Sequence, residues 1–199
     1  MEQLRDKNGL TEEEFLAKYD VSKFDRPSVT VDIIIIKNEK VLLIRRGGHP
    51  CLGKLAFPGG FVDMNEDVYT SAARELLEET NLKVRSLRQL NVASQPDRDP
   101  RTRIITVPFL ADVEDESALH AGDDAMAASW YNLSYKTMEM GGTTIFQINI
   151  SNSRNKYSFK VSKSYDKNGI SADPVYRSVG ESPLAGDHAE IFAMALDNM

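Results

Sequence analysis

Apolar positions along the chain fall into short alternating or continuous blocks separated by turn residues. Val29 to Lys37 is β-branched and apolar, Lys40 to Arg46 resumes with Val41, Leu42, Leu43 and Ile44, and Asn38-Glu39 lies between them, so the spacing predicts a β-hairpin. Two further strands are expected around Val84 to Ser94 and Arg103 to Val113, joined by the polar loop Gln95 to Arg101. Thr143 to Ile150 and Tyr157 to Val161 alternate apolar with polar positions around Ser151 to Asn155, which predicts a second hairpin. Helical spacing is confined to three places. Thr11 and Glu14 have capping-box spacing ahead of Phe15, Leu16 and Tyr19; Glu66 to Thr80 lacks Gly and Pro; and Asp187 with Glu190 can cap a last helix carrying Ile191, Phe192, Ala195 and Leu196. Strands interleaved with helices, and no internal repeat, predict an α/β or α+β fold with a mixed sheet covered by helices.

At 199 residues with 41% hydrophobic content, one main domain with a sizeable core is expected. The formal charge of -6 opposes nucleic-acid phosphates, so no nucleic-acid partner is expected, whereas small anionic substrates are compatible if cations mediate. No apolar run approaches the roughly 20 residues that span a bilayer, and the first residues carry no apolar signal core, so no membrane partner is expected. Cys51 is the single cysteine, which excludes an intrachain disulfide and makes the cytoplasm the expected compartment.

The chemistry concentrates on the second helix. Glu75, Glu78 and Glu79 stand at i, i+3 and i+4 and share one side of it. Like charges at that spacing cost roughly 0.2 to 0.5 kcal/mol per pair unless countered. Hard divalent cations, which prefer oxygen ligands and keep several waters, would relieve the repulsion. Arg74, four residues before Glu78, can hold that carboxylate, and Glu66 enters from the loop or the first turn.

Gly60, five residues, Glu66, seven residues, then Arg74-Glu75-Leu76-Leu77-Glu78-Glu79-Thr80-Asn81-Leu82 closely resembles the Nudix box. The one departure is Asn81 in place of Gly at the helix end, a site of positive φ that Asn tolerates. The resemblance implies a Nudix-type mixed sheet between helices and hydrolysis of a nucleoside diphosphate linked to another moiety, with Mg2+ or Mn2+. It further implies Glu75 and Glu79 as principal metal ligands, Glu78 as ligand or support, the Gly59 carbonyl as a further ligand, and Arg74 and Glu66 as orienting groups. The catalytic base would be Glu75 or Glu78, or an acid from a later loop such as Glu114, Glu116, Asp123 or Asp124.

The loop Pro96-Asp97-Arg98-Asp99-Pro100-Arg101, with Arg45-Arg46 and Leu55-Ala56-Phe57-Pro58-Gly59-Gly60, is similar to segments of the ADP-ribose pyrophosphatase group. That implies ADP-ribose as substrate, giving AMP and ribose 5-phosphate, with Arg46, Phe57, Arg98, Asp99 and Arg101 as substrate contacts. A loop tied by internal Arg-Asp pairs is the alternative reading of the last three. Two other functions fit the resemblance: an ADP-ribose-type sensor or transcriptional regulator, and a hydrolase of nucleoside triphosphates. Residues 1–27 read as an N-terminal helical arm and 28–199 as the Nudix domain, with an extra β-hairpin insertion at about 134–185. In that insertion the bases Lys136, Arg154, Lys156, Lys160, Lys163, Lys167 and Arg177 outnumber the acids Glu139, Asp166, Asp173 and Glu181, as suits a lid or an interface of a homodimer. His49, His120 and His188 lack ligand spacing and read as loop or capping residues.

Overall fold

A computed structural model describes residues 4–119, 125–166 and 170–199. The arm forms helix α1 (Glu12–Lys18). Thr11 caps it through the reciprocal pair expected from the sequence: the Glu14 N–H donates to the Thr11 hydroxyl, and the Thr11 N–H donates to the Glu14 carboxylate. None of its residues is buried.

Strand β1 (Ser28–Ile34) corrects the first expected hairpin. It runs parallel to β7 (Ile104–Val113), with Ser28 facing Ile104 and Ile34 facing Leu110, and antiparallel to the short β5 (Gly59–Phe61). Only β2 (Ile36–Lys37) pairs with β3 (Lys40–Arg46), across Asn38 and Glu39, both at positive φ as a tight two-residue turn requires. The physical reason is the unbroken apolar run. Val31, Ile33 and Ile35 enter one core while Ile34 enters another, so the chain must cross between two sheets.

The first sheet is mixed, in the order β5-β1-β7-β6, with β6 spanning Val84–Gln89. The second is antiparallel. Strand β8 (Ala125–Met140) pairs with β3 through its first half and with β9 (Thr143–Ser151) through its second, and β10 (Lys156–Ser164) and β11 (Val175–Val179) follow in order. Strand β4 (Leu55–Ala56) lies along the other edge of β3. Where the sequence predicts a hairpin, strands β8 to β11 thus form an antiparallel meander. Its inner residues Phe146, Ile148, Ile150, Phe159 and Val161 are core, packed with Ile191, Phe192 and Ala195 of helix α3 (His188–Asp197). The mixed α+β architecture is as expected.

Helix α2 (Val68–Thr80) begins two residues later than the Gly/Pro spacing suggests, because Asp67 caps it by accepting from the N–H groups of Tyr69 and Thr70. It ends at Asn81, which takes the left-handed conformation (φ 60°). Ala72 and Leu76 bury one stripe against Val31, Ile33 and Phe109, which turns the opposite stripe outward.

Candidate active site

The outward stripe of α2 carries the box carboxylates, and the structure brings two of the three to one place. Glu75 and Glu79 line a cavity of about 420 Å³, within the usual range of ligand sites. Glu78 does not line it: its side chain is 58% exposed, and its carboxylate accepts from Arg74 Nη1 at 3.1 Å. Among the described residues, no three His, Cys, Asp or Glu side chains are grouped so that they could hold a metal ion.

The glycine loop is shaped to these carboxylates. The Gly59 N–H donates to Glu79 Oε2 at 2.9 Å. A β-carbon on Gly59 would lie 2.1 Å from the Val31 carbonyl oxygen, and one on Gly60 would lie 2.4 Å from the Glu75 carboxylate. Ladder bonds from Val62 N–H to Val29 O and from Ile33 N–H to Pro58 O fix the alternation of β5 on β1, which turns the Gly59 carbonyl away from β1.

Arg74 ties the helix to this loop. Its guanidinium donates to both Glu66 oxygens at 3.0 to 3.1 Å, to Glu75 Oε1 at 2.8 Å and to the Phe61 carbonyl at 3.1 Å. The Arg74 bonds, helped by the Ser71 hydroxyl, hold Glu66 below the usual carboxylate range. Burial instead raises Glu75, against the pull of Arg74. Burial pushes Glu79 up to about 7; the Gly59 N–H opposes this, and the nearby charges of Glu75 and Asp32 add to it.

The cavity is also lined by Arg46, whose Nε donates to the Pro50 carbonyl at 2.8 Å, and by Arg98, Asp99 and Arg101. The Arg-Asp loop is tied. Arg101 makes a two-pronged pair with Asp99 at 2.8 and 3.0 Å and stacks over Phe61, while Arg98 grips Asp187 with two bonds of 2.8 Å. Arg98 is thus held by a carboxylate outside its own loop. Phe57, expected to meet substrate, is 1% exposed and absent from the cavity wall. It packs edge-on against Phe192 and stacks on His188, because β4 turns it into the core of the second sheet.

Of the expected alternative bases, Glu114 and Glu116 lie away from the cavity, the latter paired with Lys37 at 3.2 Å. Asp123 and Asp124 lie outside the described residues.

Three cavity residues were not anticipated as such. Asp32 is buried on β1, its Oδ2 accepting from the Thr106 hydroxyl at 2.6 Å and standing 3.9 Å from Arg98. His188, read from sequence as a capping residue, accepts the Phe57 N–H on Nδ1 at 3.1 Å and places Nε2 3.6 Å from Asp32 Oδ1. Asp187, expected to cap α3 together with Glu190, makes no side-chain cap bond, since Arg98 occupies its carboxylate; Glu190 accepts instead from the Ser178 N–H. A lone charged residue within β1 was the available signal for Asp32; nothing local marked His188.

A glycine loop thus lies on a carboxylate-bearing helix, beside a cavity lined by arginines. The NUDIX domain family model matches residues 26–136; the chain belongs to that family and is a Nudix hydrolase. It is 46% identical over 123 residues to an ADP-ribose pyrophosphatase of Methanocaldococcus jannaschii, covering 59% of this chain and 71% of that protein. A MutT/nudix family protein from Enterococcus faecalis superposes with TM-score 0.70 at 32% identity, over 98% of this chain and 75% of that one. The NUDIX domain of Shewanella oneidensis NrtR, solved with ADP ribose, superposes with TM-score 0.55 at 30% identity, over 61% of this chain and 82% of that one. No helix among the described residues is long and apolar enough to cross a membrane.

Proposed function

We propose that the protein hydrolyses ADP-ribose to AMP and ribose 5-phosphate with Mg2+ or Mn2+, through the cavity beside α2. The observation that carries this is the pairing of Glu75 and Glu79 with the loop Gly59-Gly60 in the cavity that Arg46 also lines, in a chain 46% identical to an ADP-ribose pyrophosphatase. Glu75, Glu79 and the carbonyl of Gly59 form an oxygen-only donor set, which suits a hard cation that keeps several waters. A divalent cation bound there would neutralise the diphosphate and act as a Lewis acid on it.

The chain's own groups do the rest. Arg74, anchored on Glu66, holds Glu75 in one orientation and keeps Glu78 beside it as support. We assign Glu75, which lines the cavity, to take a proton from the attacking water, with Glu78 outside the cavity as its support through Arg74. Arg46 supplies a cation on the phosphate side, and Arg98, Asp99 and Arg101 form a braced wall for the sugar and second phosphate. We place the arm at 1–27 and the catalytic domain at 28–199, and propose a cytoplasmic homodimer in which apolar arm residues such as Phe15 and Leu16 are covered.

The test is turnover of ADP-ribose with Mg2+, beside NADH, nucleoside triphosphates and dinucleoside polyphosphates, by the wild type and Glu79→Gln. AMP release by the wild type, lost with EDTA and in the variant, is the expected result. A wild type that cleaves none of these substrates overturns the proposal.

An ADP-ribose sensor is the second reading, favoured by the likeness to the NrtR domain solved with ADP ribose. Under it the protein would bind ADP-ribose without turnover.

A further inference from the structure

Adjacent residues on β3 point to opposite faces of the sheet. Arg46 faces the cavity described above; Arg45 faces a second one, of about 310 Å³, on the other side. Both arginines brace the same loop, Arg46 through the Pro50 carbonyl and Arg45 Nη1 through the Gly53 carbonyl at 2.6 Å.

The second cavity differs from the first in its charges. Its walls include Arg45, Arg154, Tyr131 and the turn Asn152 to Asn155, and no acidic residue lines it. Arg45 is only partly exposed, yet among the described residues no carboxylate lies within ion-pair distance of it or of Arg154. Its side-chain neighbour is the Tyr157 hydroxyl at 3.5 Å. Arg74 and Arg98, also partly buried, are paired with Glu66 and Asp187, whereas Arg45, like Arg46 in the first cavity, is held by a backbone carbonyl instead of a carboxylate. A partly desolvated guanidinium without a counter-charge is costly, and an oxyanion would relieve it. Arg154 is held in place by a rigid turn, since Asn152 Oδ1 accepts from the N–H groups of Arg154 and Asn155 at 3.0 and 2.8 Å.

We infer that this second cavity is an anion site, separate from the cavity beside α2, that takes a phosphate group between Arg45 and Arg154. The phosphate can be inorganic or belong to a small monoester; both present the oxygen fork that guanidinium groups match. Because Arg45 also holds Gly53, occupancy is transmitted to the loop that carries Gly47, Gly48 and Pro50 into the first cavity.

The experiment is titration of the full chain, in EDTA, with inorganic phosphate and separately with AMP, followed by backbone amide NMR. Saturable shifts at Ser153, Arg154 and Gly53 are expected, and the tighter of the two ligands identifies the source of the phosphate. Arg154→Ala should weaken this binding about tenfold or more, as loss of a charge-assisted contact does, and Arg46→Ala should leave it intact. Arg45→Gln should also weaken it; because that variant loosens the Gly53 loop as well, Arg154→Ala on the exposed turn carries the decision. Shifts confined to Gly47, Gly59 and Gly60, or an Arg154→Ala protein that titrates like the wild type, would overturn the inference.

Discussion

The carboxylate of Glu75 occupies the space that a side chain on Gly60 would need, its atoms 2.4 to 2.5 Å from the ideal β-carbon position. Glycine here serves close approach. Gly60→Ala should fold with a stability change within about 1 kcal/mol, since the flexible end of Glu75 can move aside. Turnover should fall roughly a hundredfold, because displacement of about 1 Å at a reacting group has that effect. Steady-state kinetics beside urea unfolding separates the two effects; a fully active Gly60→Ala enzyme would show that Glu75 has no fixed role.

Glu79 gives a pH-dependent stability. Its folded pKa, near 7, exceeds the ordinary 4.5, so the folded chain binds an extra proton between those values and metal-free stability falls as pH rises through 7. Glu79→Gln removes the buried charge. In EDTA it should stabilise the protein by up to about 3 kcal/mol at pH 8 and by little below pH 4.5. Thermal unfolding across that range tests this; an equal effect at both ends would contradict it.

Arg74 reaches Glu66, Glu75, Glu78 and a loop carbonyl through one planar group, which an ammonium cannot imitate. Arg74→Lys should therefore lower kcat about 10- to 100-fold with little change in KM, as loss of a group that orients ligands does. A change in KM alone would place Arg74 in substrate binding instead.

The Arg98-Asp187 pair joins the polar loop to the start of α3 with little solvent access, the two side chains being 7% and 17% exposed. Asp187→Asn should cost about 2 to 3 kcal/mol by leaving a buried guanidinium with only the longer 3.9 Å contact to Asp32. The double change Arg98→Met with Asp187→Leu should cost less than the single one. Denaturant unfolding of the wild type, Arg98→Met, Asp187→Leu and their combination closes the cycle that reads the coupling.

The Nudix box was legible because its signals are local: carboxylate spacing on one helix, a stretch free of Gly and Pro, and a turn-tolerant Asn81. The partners of β1 were not, since a continuous apolar strand suits a hairpin and a parallel neighbour equally, and only burial on both faces decides. Phe57 was misplaced for a related reason: the adjacent glycines suggested an open loop, while two residues of β4 suffice to turn the ring inward. The polar loop kept two readings open until Asp187, distant in sequence, proved to hold Arg98. His188 was invisible as a cavity residue because its contacts, Phe57 and Asp32, come from other elements.

The cavity takes one wall from Asp32 on the first strand and another from Asp187 and His188 at the last helix. On the ribosome the carboxylate helix is finished by Asn81, long before those partners emerge, so the site closes only when His188 comes to within 3.6 Å of Asp32 on β1. A chain interrupted between the two would carry the whole box and an open, two-sided groove. The pocket is thus complete only when the chain through His188 is in place.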